Sequence, residues 1–396
     1  MAEHRADHPL RAVALVGAFV AAVLIAFTLN DSDRSESSRA AVAVRSGITT
    51  TSPPQTRVPV GAETLSSTSS TTPTGPAADT TSREPTGEAV TIAFAGDTHF
   101  SGGLRATLLA NPSGALAPVA PIFQAADLAM VNFETAITER GAPAVKAFTF
   151  RSPAASFTAL KAAGIDVIST ANNHGMDYGT VGLEDTIAAG KAAGFPVIGI
   201  GADENAAYAP FTTTIKGQRI SILAATDVLD ANLVNAWTAT TTKAGLASAK
   251  RLDRLTAAVR QARAASDTVV VFLHWGTETI ACATTAQKTL AKALVGAGAD
   301  IVVGSHAHVL EGAGRLGGAY VAYGLGNFAF YHATGLGARS GILTLTVRGR
   351  HVDTAVWTPA TIPGGGGVPR PLTGLAATQA VAAFLQLRSC TDLEPA

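Results

Sequence analysis

Val302 to Val309 read VVGSHAHV, a run of apolar and small residues that ends in two histidines spaced two apart, His306 and His308. On a strand, residues i and i+2 project to the same side, so both rings are expected to converge on one point just past a sheet edge. That is a metal-ligand spacing. Taken alone, it equally suits a turn in which one imidazole bonds to backbone and the other meets water. The strands around it have to decide.

Working outward, short apolar runs recur through the chain: AVTIAFAG, DLAMVN, IDVIST, PVIGI, RISILAA, TVVVFLHW, ADIVVGS and GAYVAYG. Each is four to eight residues long and ends in polar or glycine positions, as buried strands do. Helical patterns lie between several of them. Ser248 to Ser266 sets Leu252, Leu255, Val259 and Ala262 on one stripe, and Thr284 to Val295 does the same with Leu290 and Leu294. Alternating strands and helices predict an α/β fold with helices outside one or two sheets. GILTLTVRG and HVDTAVWTP read as a hairpin, and Gly335 to Gly337 and Gly364 to Gly367 as loops.

In such sheets ligands gather beyond the carboxyl ends of strands. The runs deliver Asp97 and His99, then Asn132 and Glu134, then Asn172, Asn173, His174 and Asp177. They continue with His274 and Glu278, His306 and His308, and Asn327. Each has an ordinary structural reading. Asp97 or Asn132 could cap a helix, Asn172 or Asn173 could hold a left-handed turn, and His274 could be a core histidine with its nitrogens satisfied. Together they would carry a heavy desolvation cost with no cation among them. Two acids, neutral imidazoles and an amide oxygen are donors that divalent transition ions prefer.

Composition narrows the setting. With 29 basic and 29 acidic residues the formal charge is zero, so no electrostatic footprint for nucleic acid exists and that partner is excluded. Ala12 to Leu29 is an unbroken uncharged, mostly apolar stretch, roughly 27 Å long as a helix against a bilayer core of about 30 Å. Residues 1–11 are therefore expected inside as a short cytoplasmic N-terminus. Residues 12–29 are expected to form a single-pass signal-anchor, with the remainder outside the cytoplasm. Secretion after signal cleavage is the alternative, with Ala41 to Ala43 as a distant small-residue site. Residues 30–88, rich in Ser, Thr and Pro, cannot bury enough apolar area to offset their ordering entropy and are expected to be a disordered linker. Residues 89–396 form the folded domain. In that compartment Cys282 and Cys390, the two cysteines of the chain, are expected to pair and pin a C-terminal helix to the loop after Val269–His274.

The order of motifs resembles the calcineurin-like metallophosphoesterase fold: Asp97-x-His99, Glu134, Asn173-His174, His274 and His306-x-His308. More narrowly, ANNHGMDYGTVGLEDT, HWGTE, GADIVVGSHAHVLEG and YGLGNF are similar to the CapA family of poly-γ-glutamate capsule synthesis. The resemblance covers about residues 89 to 335. It implies a sandwich of two sheets flanked by helices and two divalent metal ions, Mn, Zn or Fe. Asp97, His99 and His308 would hold one ion, Asn173, His274 and His306 the other, and Glu134 would bridge them. The chain departs from the wider fold here, since VNFETAIT stands where that fold has G-D-x-x-D. His174 takes the position of the general acid, with Asp177 placed to orient it, and the resemblance implies hydrolysis by a metal-activated hydroxide. Asn132, Asp177, Glu278 and Asn327 are expected to support the ligands. The implied partner is an envelope polymer or its synthase complex, which the chain would serve either as a metal-dependent hydrolase or as a non-catalytic polymer-binding or scaffolding component.

Overall fold

The computed structural model describes residues 87–395. The expectations for residues 1–11 and 12–29, and nearly all of the linker at 30–88, lie outside the described residues. Among the described residues no helix is long and apolar enough to cross a membrane.

Two sheets organise the domain. The first has seven strands: β1 (Val90–Thr98), β2 (Leu128–Phe133), β3 (Val167–Ser169) and β4 (Val197–Ile198), with β11 (Arg339–Arg348), β12 (His351–Thr361) and β13 (Arg370–Pro371) added later in the chain. The second has six: β5 (Phe211–Ile215), β6 (Gln218–Thr226), β7 (Thr268–Trp275), β8 (Ile301–His306), β9 (Ala313–Leu316) and β10 (Ala319–Ala322). The spatial orders are β13-β12-β11-β1-β2-β3-β4 and β9-β10-β8-β7-β6-β5. β1 to β4 run parallel, as do β6, β7, β8 and β10, so their carboxyl ends emerge together.

The alternation along β1 shows why the layers form. Ile92 and Phe94 enter a core shared by both sheets with Met130, Ile222, Phe272, Val303 and Leu345. Ala93 and Ala95, on the other face, meet Phe157 and Leu160 of helix α2 (Ser156–Ala163), in a cluster that also takes in α1 (Gly103–Ala110). The outer face of the second sheet is covered by α4 (Leu252–Ala265) and α5 (Thr285–Ala297). Burial on both faces is what makes these strands continuous apolar runs rather than alternating ones.

Three local expectations are revised. Leu252 is 42% exposed at the start of α4, so the buried stripe is Leu255, Val259 and Ala262. PVIGI is not one strand, because Gly199 takes φ +81° and a Cβ there would sit 2.4 Å from that of Ala171. The chain turns at that glycine: Val197–Ile198 stays in the first sheet, and Ile200–Gly201 pairs with Gly245–Leu246. Gly335–Ala338 is a short 3-10 turn. Helix α3 (Gly179–Ala193) precedes β4, and α6 (Gly374–Gln386) packs on β12 with Phe384 stacked on Trp357 at 4.2 Å. Cys282 and Cys390 are joined in a disulfide that ties the segment after β7 to the 3-10 turn following α6.

Gly304, inside the VVGSHAHV stretch, is required by packing. The Trp275 indole donates to the Tyr323 carbonyl (2.7 Å) across it, and a Cβ at 304 would lie 2.0 Å from Nε1 and 2.1 Å from that oxygen. Gly304→Ala is expected to destabilise the domain by about 1–3 kcal/mol, read from a lower denaturant midpoint at unchanged slope.

Glu311 is buried, accepts from Gln287 Nε2 (2.9 Å) through one oxygen, and its carboxyl is pushed up by burial to about 7. The folded state therefore holds the Glu311 proton more tightly than the unfolded chain does. The Glu311 contribution to stability is fullest below pH about 4.5 and is lost as pH rises towards 7, by on the order of 3 kcal/mol. Glu311→Gln should flatten that part of the stability–pH curve, measured by urea unfolding between pH 4.5 and 8.

Candidate metal centre

The centre is assembled where β1, β2, β7 and β8 end. Asp97 lies at the end of β1, fully buried, and accepts from Asn132 Nδ2 (2.8 Å) and the His306 backbone N–H (3.1 Å). Burial by itself raises its carboxyl, but the hydrogen bonds from His308 and Asn132 and the charge on His308 outweigh it and hold Asp97 well below the usual range. Asn132 is itself held by Asn172, whose amide donates to Asn132 Oδ1 (3.1 Å) and to the Phe133 carbonyl (3.0 Å).

Glu134 follows β2 and is also fully buried, yet among the described residues neither of its carboxylate oxygens has a hydrogen-bond partner. Burial, followed by the nearby Asp97 charge, pushes it up to about 8. His274 Nε2 lies 3.3 Å and His174 Nε2 4.0 Å from Glu134 Oε1. From β7, His274 Nε2 also lies 2.7 Å from Asn173 Oδ1 and 3.1 Å from His306 Nδ1. His308 Nδ1 is 3.3 Å from Asp97 Oδ2 and 2.9 Å from Asn327 Oδ1.

The two histidines of VVGSHAHV converge by a different route from the expected one. β8 ends at His306, which has φ +104°, and His308 has φ +56°. Both lie in the left-handed region that side chains avoid, so a strained turn, and not strand alternation, brings their rings to 5.9 Å. Ligating atoms of Glu134, His306 and His308 all lie within 4.8 Å of one another.

The imidazoles divide by charge. Burial keeps His274 neutral, down to about 3, and depresses His306 further, which leaves lone pairs free for a cation. Burial opposes charge on His308 too, but Glu134 and Asp97 overcome it and raise that ring to about 10. Among the protein's own groups, a protonated His308 faces Asp97 at 3.3 Å. Two orphaned oxygens on a buried carboxylate, neutral imidazoles and an amide oxygen make a donor set that fits a divalent ion.

Most of the sequence-derived residues meet here, in differing roles. Asp97, Glu134, Asn173, His274, His306 and His308 share the centre, while Asn132 and Asn327 hold its members in place. His174 Nδ1 lies 2.6 Å from Asp177 Oδ2, and that oxygen also accepts from the Phe150 backbone N–H (2.6 Å). His99 has a separate environment: its ring stacks on Phe150 at 4.6 Å, and Nδ1 accepts from the Ser101 N–H (3.1 Å). Glu278 is exposed at the mouth of a cavity of about 280 Å3 that is also lined by His174, His308, Phe330 and Tyr331.

Lys146 was missed by sequence reasoning. Its side chain is only 9% exposed, and Nζ lies 3.0 Å from Asp177 Oδ1 and over the Trp237 ring. A lone lysine in a glycine- and proline-containing loop gives no pattern that would reveal this.

Fold and centre together define a mixed α/β domain whose strand ends carry side chains suited to a metal ion. The profile of the family described as "Bacterial capsule synthesis protein PGA_cap" matches residues 91–332, more than half of the chain. The chain belongs to that family. It is 33% identical over 223 residues to the PGA biosynthesis protein CapA of Bacillus subtilis, covering 54% of this chain and 55% of that one. It is 37% identical over 175 residues to the capsule biosynthesis protein CapA of Bacillus anthracis, covering 43% and 42%. The match thus spans about half the length of these curated relatives. Among solved structures it is similar to a hypothetical protein from Thermus thermophilus, with 20% identity and a TM-score of 0.44 over 69% of this chain and all of the other.

Adding manganese or zinc is expected to raise the melting temperature, with about 2.7 kcal/mol of stabilisation at a hundredfold excess over Kd, and a chelator should reverse it. Glu134→Ala should abolish the gain, as read by calorimetry and elemental analysis.

Proposed function

We propose that this chain is a membrane-tethered, extracytoplasmic component of the synthesis of poly-γ-glutamate capsule or a related envelope polymer, and that its centre is a dinuclear hydrolytic site. The observation that carries the reading is Glu134: a fully buried carboxylate with both oxygens unpartnered, 3.3 Å from one imidazole of the cluster. Such a group is costly unless a cation meets it. The tether rests on the apolar stretch at 12–29 and the Ser/Thr/Pro-rich segment at 30–88, with residues 89–396 as the working domain.

The contacts support two ligand sets. His274 lies 2.7 Å from Asn173 and 3.1 Å from His306, and Asp97 and His308 pair at 3.3 Å; the D-x-H pattern of the sequence, not a contact, assigns His99 to the second set. Glu134 stands between the sets. Two bound divalent ions, Mn, Zn or Fe, would supply Lewis acidity and lower the pKa of a water.

The chain's own residues do the rest. Asp177 engages His174 Nδ1, which leaves Nε2 as the atom that delivers a proton to a leaving oxygen or nitrogen. Lys146 Nζ lies 3.0 Å from the other Asp177 oxygen and so fixes the carboxyl group that holds that ring. Phe150, packed on His174 at 4.3 Å, restricts water around the ring. Asn132 and Asn172 orient Asp97 and His274.

A second reading, a non-catalytic polymer-binding or scaffolding partner of a membrane synthase, is favoured by the names of both Bacillus relatives, which describe biosynthesis. The full-length chain loaded with manganese should hydrolyse phosphoester probes or γ-linked polyglutamate. His174→Ala should lower the rate by about 10²–10⁴-fold with metal content unchanged. No turnover of either probe class, together with a folded Glu134→Ala variant that restores polymer production in cells, would leave only the scaffolding reading.

A further inference from the structure

A second cavity, of about 390 Å3, lies between α6, the β11–β12 hairpin and the loop after β8. Its walls are apolar, formed chiefly by Trp357, Phe384, Leu387, Leu310 and Leu372, and Leu336 lines it while remaining 48% exposed. None of these residues belongs to the metal centre. The volume falls in the range of small-molecule sites, and a largely apolar lining with few polar groups is how such sites are built.

The polar groups are placed to one side. Arg339 and Thr361 line the cavity and are direct cross-strand partners, and Thr361 is in turn the partner of Arg370 on β13. Residues directly opposite in antiparallel strands project to the same face. Arg339, Thr361 and Arg370 therefore form one row, with the two arginine Cα atoms roughly 10 Å apart. Both arginines are exposed, and neither has an acidic partner among the described residues. Gln379 of α6 adds an uncharged polar side chain, and α6 itself carries no charged residue. Apolar walls beside two uncompensated cations complement a molecule with a hydrocarbon body and an anionic head.

We propose that this cavity is a binding site for a single-chain anionic amphiphile, whose chain lies against Trp357 and Phe384 and whose carboxylate or phosphate head meets Arg339 and Arg370. The disulfide supports one wall, because Ala281 lines the cavity beside Cys282 and Leu387 lines it close to Cys390. Val309 lines this cavity and the one over the metal centre, so an occupant would border the entrance to that centre without touching its ligands.

Trp357 makes the site measurable. The full-length chain in phosphatidylcholine nanodiscs is titrated with 12-bromododecanoate, and quenching of Trp357 is isolated by subtracting the signal of Trp357→Phe. Saturable quenching is expected. The double variant Ala380→Leu, Ala383→Leu, which fills the cavity, should abolish it while leaving the melting temperature undiminished. The double variant Arg339→Gln, Arg370→Gln should weaken the acid at least tenfold and leave 12-bromododecanol unaffected. Absence of saturable quenching, or saturation untouched by the filling variant, overturns the site. Equal loss for acid and alcohol in the arginine variant overturns the anionic head. Dodecyl phosphate as competitor distinguishes the two heads: displacement at lower concentration than dodecanoate assigns phosphate, and the reverse assigns carboxylate.

Discussion

Two carboxylates, Asp97 and Glu134, are buried side by side at the ends of neighbouring parallel strands, and the design of the domain follows from that. Taking one such charge out of water costs several kcal/mol after relaxation, and two like charges add repulsion. Asp97 is compensated by the protein: an amide, a backbone N–H and His308 all face it. Glu134 is not, and its proton affinity rises accordingly. A domain that leaves one acid satisfied and its neighbour unsatisfied presents the second as a donor that suits a cation.

The strands supply the rigidity that this arrangement demands. β1, β2, β7 and β8 are covered on both faces, so the points from which the ligand-bearing segments depart are fixed by packing. The local strain is placed at the rim, where His306 and His308 adopt left-handed backbone angles. One layer back, Gly304 leaves the space through which Trp275 reaches Tyr323, and that hydrogen bond anchors the strand from which the strained turn departs. The lysine–aspartate–histidine line from Lys146 through Asp177 to His174 is a second buried charge arrangement, separate from the first but ending at the same centre.

Much of this was legible in the chain itself. Strands buried on both faces read as apolar runs, so their number and ends could be marked, and polar residues collected at those ends stood out against them. Cys282 and Cys390 were the two cysteines available to pair. What was not legible depended on contacts between distant segments. The split of PVIGI follows from Gly199 meeting Ala171, and the exposure of Leu252 from where α4 begins relative to its sheet. Lys146 lies in a loop whose sequence is that of an ordinary exposed turn, and the approach of Asp177 and Trp237 buries its head group. His99 carries the spacing of a ligand, yet its surroundings are set by Phe150 and Phe330, residues 51 and 231 positions further along the chain.

By itself, then, the sequence determined the class of fold, the end of the sheets at which chemistry collects, and the residue types that collect there. These follow from periodicity and from the cost of burying polar groups, both of which act along the chain. The tertiary structure alone decided which acid is compensated and which is left open, how the H-x-H pair turns inward, and that an apolar cavity edged by Arg339 stands beside the centre. Those outcomes depend on which side chains meet across the two sheets, and spacing along a strand carries no information about the strand that will face it.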